Sequence, residues 1–309
     1  MKRTLAFALL FAALTVSSQT TEDKPMEQTK KNIRVLTGVP SSQLIPIMAV
    51  MSNSLGVTCT HCHEASDWSS DAKPAKDVSR RMIQMTRAIN DSHYGGKVVV
   101  TCNTCHHGSV GTSPTPPVAN AGWNKPATFA LQPALPAADE LFARHMRAVT
   151  PAARRNARAM GIVTARSGRG DPRSAPFELV YAPGKTEVHT ELSYPPEGER
   201  ELGFPPNLRE RYANVVTRAV DELRGRTVYV VEATPKDGSM SERLSFDAAT
   251  GLLLQWHRER ATIIGVLAEE YEFDDYRNVE GAQFPFVMQW SRADYQVTHR
   301  IASIKPATQ

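Results

Sequence analysis

Apolar positions recur with two different periods along the chain. Leu44, Ile47, Met48, Met51 and Leu55 follow the i, i+3, i+4, i+7 spacing of one helical face, with Ser41-Ser42 placed as an N-cap before them and Gly56 as a stop after them. A second stripe, Val78, Met82, Met85 and Ile89, has the same period, leaves Arg80, Arg81 and Arg87 off it, and ends at Gly95-Gly96. A third helix is expected from Asp139 to Met160 on Leu141, Phe142, Met146 and Val149, kinked or broken at Pro151. Beyond it the period shortens. Phe177 to Tyr181, Val228 to Ala233, Phe284 to Trp290 and Tyr295 to Ile301 read as strands, and Leu244 to Leu252 as a hairpin in which Gly251 supplies positive φ. Helices first and strands later predict an α+β chain: a mainly helical N-terminal part, then an antiparallel, strongly curved sheet packed on a leading helix.

Composition narrows the class. Hydrophobic residues at 41% and charged residues at 22% exclude collagen-like, low-complexity and multi-span membrane chains. The 36 Lys+Arg against 32 Asp+Glu leave +4, and no basic run is dense enough for a nucleic-acid face. A length of 309 residues fits two domains at roughly 150 residues each. Met1 to Gln19 carries Lys2 and Arg3, an apolar run from Leu5 to Leu14 and then small residues, the layout of a cleavable secretory signal too short for a permanent span. Prolines 114, 116, 117, 126, 133 and 136 mark an extended linker. The expected divisions are a signal at 1–19, an N-terminal domain at 24–108, the linker at 109–136 and a β-rich domain at 137–309.

The four cysteines carry the chemistry. In an exported chain they would ordinarily form two disulfides, but they occur as Cys59-Thr60-His61-Cys62-His63 and Cys102-Asn103-Thr104-Cys105-His106. Two thiols three residues apart on one turn can form thioethers to the two vinyl groups of one haem, while the adjoining His turns an imidazole nitrogen to the iron. Each motif is a haem clamp. Two covalently bound haem c groups are therefore expected on Cys59, Cys62, Cys102 and Cys105, with His63 and His106 as proximal ligands. A four-thiolate zinc site would explain both Cys-x-x-Cys pairs but leave His63 and His106 without a role, and a thioredoxin-like pair needs one such motif on a βαβ pattern.

An electron-carrying haem usually has a second axial ligand. Each clamp follows a helix with a Met-x-x-Met element, Met48-Ala49-Val50-Met51 and Met82-Ile83-Gln84-Met85. Methionine on such a stripe is ordinarily core filling, but the repeat of helix, turn and clamp reads as an internal duplication. His93 is the spare distal candidate, and His61 and His107 read as surface residues of the clamp loops. Arg80, Arg81, Arg87 and Lys97 read as a solvated helix face supplying one partner for a haem propionate. Asp67 to Lys76, with Trp68 and Pro74, reads as a surface loop. Trp123 and Phe129 are expected to lay the linker over a haem edge or the second domain.

The stretch Met85-Thr86-Arg87-Ala88-Ile89-Asn90 and the segment Val100 to Gly108, with Met48 to His63 as a weaker first copy, resemble the cytochrome subunit of purple-bacterial photosynthetic reaction centres. The resemblance covers about residues 32–108. It implies a haem set against the helix before each clamp, with the first Met of Met-x-x-Met as distal ligand: Met48 for the first haem and Met82 for the second, Met51 and Met85 being packing residues. The family pattern has four haem segments and a lipid-anchor cysteine, where this chain shows two segments and no such cysteine.

Helix and strand order in the C-terminal part resembles the lipoprotein-carrier half-barrel, which implies a concave face for an apolar ligand or a partner's lipid. No Ser/His/Asp set, glycine-rich phosphate loop or HExxH helix occurs there, and His189, His257 and His299 are scattered. The expected function is that of an exported, periplasmic dihaem c-type cytochrome, in peripheral contact with the membrane surface, that carries single electrons and is not an enzyme. Its partners would be periplasmic or membrane-bound redox proteins, a photosynthetic reaction centre among them. The alternatives are a peroxidase-like dihaem enzyme with one open haem site, and a lipid- or lipoprotein-binding module with redox-sensing haems.

Overall fold

Period-2 sequence dominates the C-terminal part, and all of it enters one sheet. The strands are β1 (Arg158–Ser167), β2 (Arg173–Ala182), β3 (Lys185–Thr190), β4 (Tyr212–Leu223), β5 (Arg226–Pro235), β6 (Glu242–Asp247), β7 (Leu253–Thr262), β8 (Gly265–Val279), β9 (Ala282–Arg292) and β10 (Tyr295–Lys305). They stand in the order β3-β2-β1-β10-β9-β8-β7-β6-β5-β4, antiparallel throughout. Hairpins suffice from β4 to β10, and β10 returns to pair with β1. The computed structural model describes residues 23–112, 135–149, 157–168, 170–182, 185–196, 202, 208–292 and 294–305. The expected signal, Trp123, Phe129 and most of the proline-rich segment lie outside the described residues.

Alternation puts one face of the sheet in the core. Leu267, Tyr271 and Phe273 of β8 and Phe284, Met288 and Trp290 of β9 are buried, with less buried residues between most of them. Helix α5 covers this core, but it spans Ala138–Ala148 rather than reaching Met160, which already belongs to β1. Its Phe142 ring lies 5.2 Å from Phe246 and 5.9 Å from Tyr212. The expected hairpin is β6–β7, and Gly251 is required there twice over: its φ is +75°, and a Cβ would stand 2.9 Å from Arg144 Cβ.

The N-terminal part is helical: α1 (Met26–Thr29), α2 (Leu44–Leu55), α3 (Pro74–Tyr94) and α4 (Cys102–His106). Ser41 and Ser42 do not cap α2; they open a 3₁₀ turn, and the Ser42 N–H donates to Asp23 Oδ1 at 3.1 Å. Pro46 falls in the first turn of α2, where its missing N–H leaves no helical bond unmade. Pro74 opens α3, so Pro74, Ala75 and Lys76 are helical rather than loop. Gly56 and Gly95 close α2 and α3 in left-handed conformation, as expected.

The two parts share a core. At the β7–β8 turn, Ile264 is completely buried and packs with Leu267 among Ile47, Val50 and Ile83 of the helical part. Full burial of such a side chain stabilises by roughly 1.5–3 kcal/mol. A Cβ on Gly265 would lie 3.1 Å from Val50 Cγ1 and 3.5 Å from Thr101 Cβ, so the hairpin tip sits against α2 and the residue preceding the second clamp.

Candidate cofactor site

The periodicity located α2 and α3, but the predicted stripes are not simply core faces. On α2, Ile47 is buried with Ala49 and Val50, whereas Leu44, Met48, Met51 and Leu55 remain half-buried. These four turn toward a cavity of about 510 Å³. Its walls include Cys59, Cys62 and His63 of the first clamp, Ile33 and Val35 from the preceding loop, and Ser79, Arg80 and Ile83 of α3. A mostly apolar cavity with a few convergent polar groups is the ordinary form of a cofactor pocket. Met48 and His63, the first predicted axial pair, thus line one space with both predicted thioether cysteines, and Met51 shares its wall.

His63 is held by backbone the sequence reading did not single out. Its Nδ1 lies 2.9 Å from the Trp68 carbonyl and its ring centroid 5.6 Å from that of Trp68. A ring nitrogen committed to a carbonyl leaves Nε2 as the free ligating atom and fixes the ring's direction. The stretch read as a surface loop is therefore a wall of the site. At its far end Asp71 gathers Arg34 at 2.6 Å, Arg80 at 2.9 Å and Lys76 at 3.6 Å. The hydrogen bond from Arg80 leads in lowering the Asp71 pKa to about 2, helped by Asn32 and Arg34. Arg80, read as part of a solvated face, is only 9% exposed; Asp71 and the cavity hold it inward. Lys30, Lys31, Arg34, Lys76 and Arg80 make the rim of the cavity cationic, which suits the propionates of a haem.

The second set repeats one device. His106 Nδ1 lies 3.0 Å from the Ser109 carbonyl, the same backbone anchoring of the imidazole. Cys102 is half-buried, Cys105 is exposed, and burial raises the Cys102 pKa. On α3, Arg80, Ile83, Thr86 and Asn90 face inward while Val78, Met82 and Met85 are 45%, 36% and 46% exposed. A contiguous exposed apolar stripe marks a contact surface for an apolar body. Met82 thus stands on an open helix face, whereas Met48 lines a cavity that is partly open to solvent. Asn90, which sequence reasoning missed, ties α3 to the approach to this clamp: Oδ1 accepts the N–H groups of Val99 and Val100 at 3.1 and 2.9 Å, and Nδ2 donates to the Val100 carbonyl at 2.7 Å. His93, the spare distal candidate, is exposed, as are His61 and His107.

The four clamp cysteines form no disulfide with one another, and the anchored imidazoles of both clamps, with the apolar walls and cationic rim of the first, fit covalently held haem. Among the described residues no cluster of three or more His, Cys, Asp or Glu is placed to hold a bare metal ion. No helix of the described residues is long and apolar enough to cross a membrane.

The C-terminal part resembles LolA-like structures: a LolA superfamily protein from Nitrosomonas europaea aligns at 9% identity and a TM-score of 0.43, covering 57% of this chain and 96% of that one. Cytochrome c-554 of Chloroflexus aurantiacus is 34% identical over 83 residues, 25% of this chain and 20% of that protein. The photosynthetic reaction center cytochrome c subunit of Thermochromatium tepidum is 31% identical over 83 residues, 26% of this chain and 20% of that protein, and the Rubrivivax gelatinosus subunit is 33% identical over 86 residues. The chain thus spans about a fifth of the length of the curated relatives it matches. Residues 9–130, the stretch that carries both clamps, match the family described as photosynthetic reaction centre cytochrome C subunit, and in this part the chain resembles that family.

Proposed function

We propose that this chain is an exported dihaem c-type cytochrome that carries single electrons between redox proteins at or near a membrane surface. The observation that carries the proposal is the first cavity, where Met48, Cys59, Cys62 and His63 line one apolar space and His63 has its Nδ1 committed to backbone. Cys59 and Cys62 would hold one haem and Cys102 and Cys105 the other, with His63 and Met48, and His106 and Met82, as axial ligands. Bound there, haem supplies the one-electron couple. The chain's own residues fix the imidazoles, line the first pocket with apolar side chains, and place cations beside its rim. The relatives named as reaction-centre subunits make a photosynthetic reaction centre one candidate partner.

The test is made on the full chain matured by a cytochrome c assembly system. Mass spectrometry after acid–acetone extraction should retain two haems per chain, and carbon monoxide should leave the ferrous spectrum unchanged. Unmodified thiols would overturn the cytochrome reading. Stoichiometric carbon monoxide binding at one haem would favour the peroxidase-like alternative, since a six-coordinate carrier keeps both axial ligands.

A further inference from the structure

The two anchored imidazoles differ in what else their carbonyls hold. The Trp68 carbonyl accepts from Lys76 Nζ at 3.1 Å as well as lying 2.9 Å from His63 Nδ1. Lys76 is fixed in this position: its ammonium also donates to the Ser70 carbonyl at 2.8 Å and lies 3.6 Å from Asp71 Oδ1, and its side chain is only 11% exposed. Two carbonyl acceptors and one neighbouring carboxylate hold the ammonium in place. Asp67 locks the same turn, its Oδ1 accepting the Ser69 N–H at 2.9 Å and the Ser69 hydroxyl at 2.6 Å. At the second clamp, no cation among the described residues bonds to the Ser109 carbonyl that anchors His106.

A carbonyl that already accepts from a cation is a poorer acceptor for a second donor. The imidazole that shares it keeps more of its Nδ1 proton, has less imidazolate character, and donates less charge to a bound iron. Weaker donation disfavours the ferric state. We infer that Lys76 is a positioning residue for the first haem, acting through the Trp68 carbonyl on His63 to raise that haem's potential relative to the same site without the cation. The inference rests on the dihaem reading of the two clamps.

The experiment is a redox titration of the full-length holoprotein and its Lys76→Met, Lys76→Arg and Lys31→Met variants, with the His63 Nδ1 proton followed by NMR. Lys31 lines the same cavity but has no bond to the Trp68 carbonyl, so Lys31→Met reports the through-space loss of one nearby cation. Lys76→Met should raise the ferric-to-ferrous ratio of the first haem about threefold at fixed applied potential, close to 30 mV at 59 mV per tenfold. It should leave the second haem unchanged and move the His63 Nδ1 resonance. Lys76→Arg should restore most of both signals. Equal shifts in Lys76→Met and Lys31→Met with a stationary His63 resonance would overturn the inference in favour of plain charge proximity, as would an unmoved potential. Wild-type protein without haem on Cys59 and Cys62 would instead defeat the cytochrome reading beneath it, and mass spectrometry separates the two failures.

Discussion

Asn90 in the last turn of α3 donates its Nδ2 to the Val100 carbonyl at 2.7 Å, two residues before Cys102. With its Oδ1 taken by the Val99 and Val100 N–H groups, one buried side chain completes three backbone bonds that no secondary structure supplies. Asn90→Leu should therefore cost about 1–3 kcal/mol in all, since the part-buried backbone of Val99 and Val100 can turn partly to water, and free the chain entering the second clamp. Chemical denaturation and haem stoichiometry would check it. Loss confined to stability, with the second haem's spectrum and potential unchanged, would show that Asn90 braces the fold without placing the clamp.

The β7–β8 tip makes a second, opposite expectation to the one a proline-rich linker suggests. Six prolines over 109–136 argue for an isolated N-terminal domain, yet Ile264 and Leu267 are part of the core that Ile47, Val50 and Ile83 build. Ile264→Ala should cost about 2–5 kcal/mol by leaving a cavity. Gly265→Val should cost about 1–3 kcal/mol by driving a side chain into Val50 and Thr101. Both variants should loosen the helical part as well as the sheet, visible as earlier bleaching of the visible spectrum in urea. Independent unfolding of an unchanged helical part would mean the shared core contributes nothing to it.

What the sequence showed and what it hid divide along one physical line. Cys-x-x-Cys-His spacing, the 3.6 periods of α2 and α3 and the Gly251 turn are local, and local patterns survive in the chain as written. Trp68 and Ser109 act through backbone carbonyls, which every residue possesses and no side-chain pattern advertises. Arg80 looked solvated because it falls off the apolar stripe of α3, but Asp71 and the cavity wall draw it inward. The Ile264 contact joins residues more than two hundred positions apart from Ile47, so no window of sequence contains it. The stripe on α2 was legible as apolar; that Ile47 meets the core while Leu44, Met48, Met51 and Leu55 meet the cavity depended on Ile264 and Leu267 arriving from the sheet.

Acid sensitivity of the sheet follows from His299. Its ring is fully buried in β10, 5.0 Å from Phe177, and lies 3.0 Å from the Tyr194 hydroxyl through Nε2. Burial alone lowers its pKa to about 3, against roughly 6.5 when unfolded. As pH falls from 6.5, the unfolded chain takes up a proton that the folded chain refuses, so the stability is full above about 6.5 and is lost progressively down to about 3. The slope is at most about 1.4 kcal/mol per pH unit. His299→Phe should flatten the dependence of the urea midpoint on pH between 7 and 4 relative to wild type. Parallel slopes for the two proteins would place the acid sensitivity elsewhere.

The axial methionines decide between carrier and enzyme. A carrier keeps both ligands through its redox cycle so that little reorganises, whereas a haem enzyme needs a position open or easily vacated. Methionine ligation raises a haem's potential relative to bis-histidine ligation, so Met48→His and Met82→His should each lower one midpoint and leave the other in place. Met51 shares the wall of the first cavity and Met85 the exposed stripe of the second helix. With both only partly buried, Met51→Ala and Met85→Ala should cost less than about 2 kcal/mol, below the range for a buried methionine, and keep the sulfur-to-iron charge-transfer band. The first site should tolerate such change better than the second, because Met48 is half-buried in a cavity wall while Met82 relies on the exposed face of α3 alone. Loss of the band in Met85→Ala with its retention in Met82→Ala would move the second ligand one turn along the helix. Carbon monoxide binding to unmodified ferrous protein would abandon the carrier assignment.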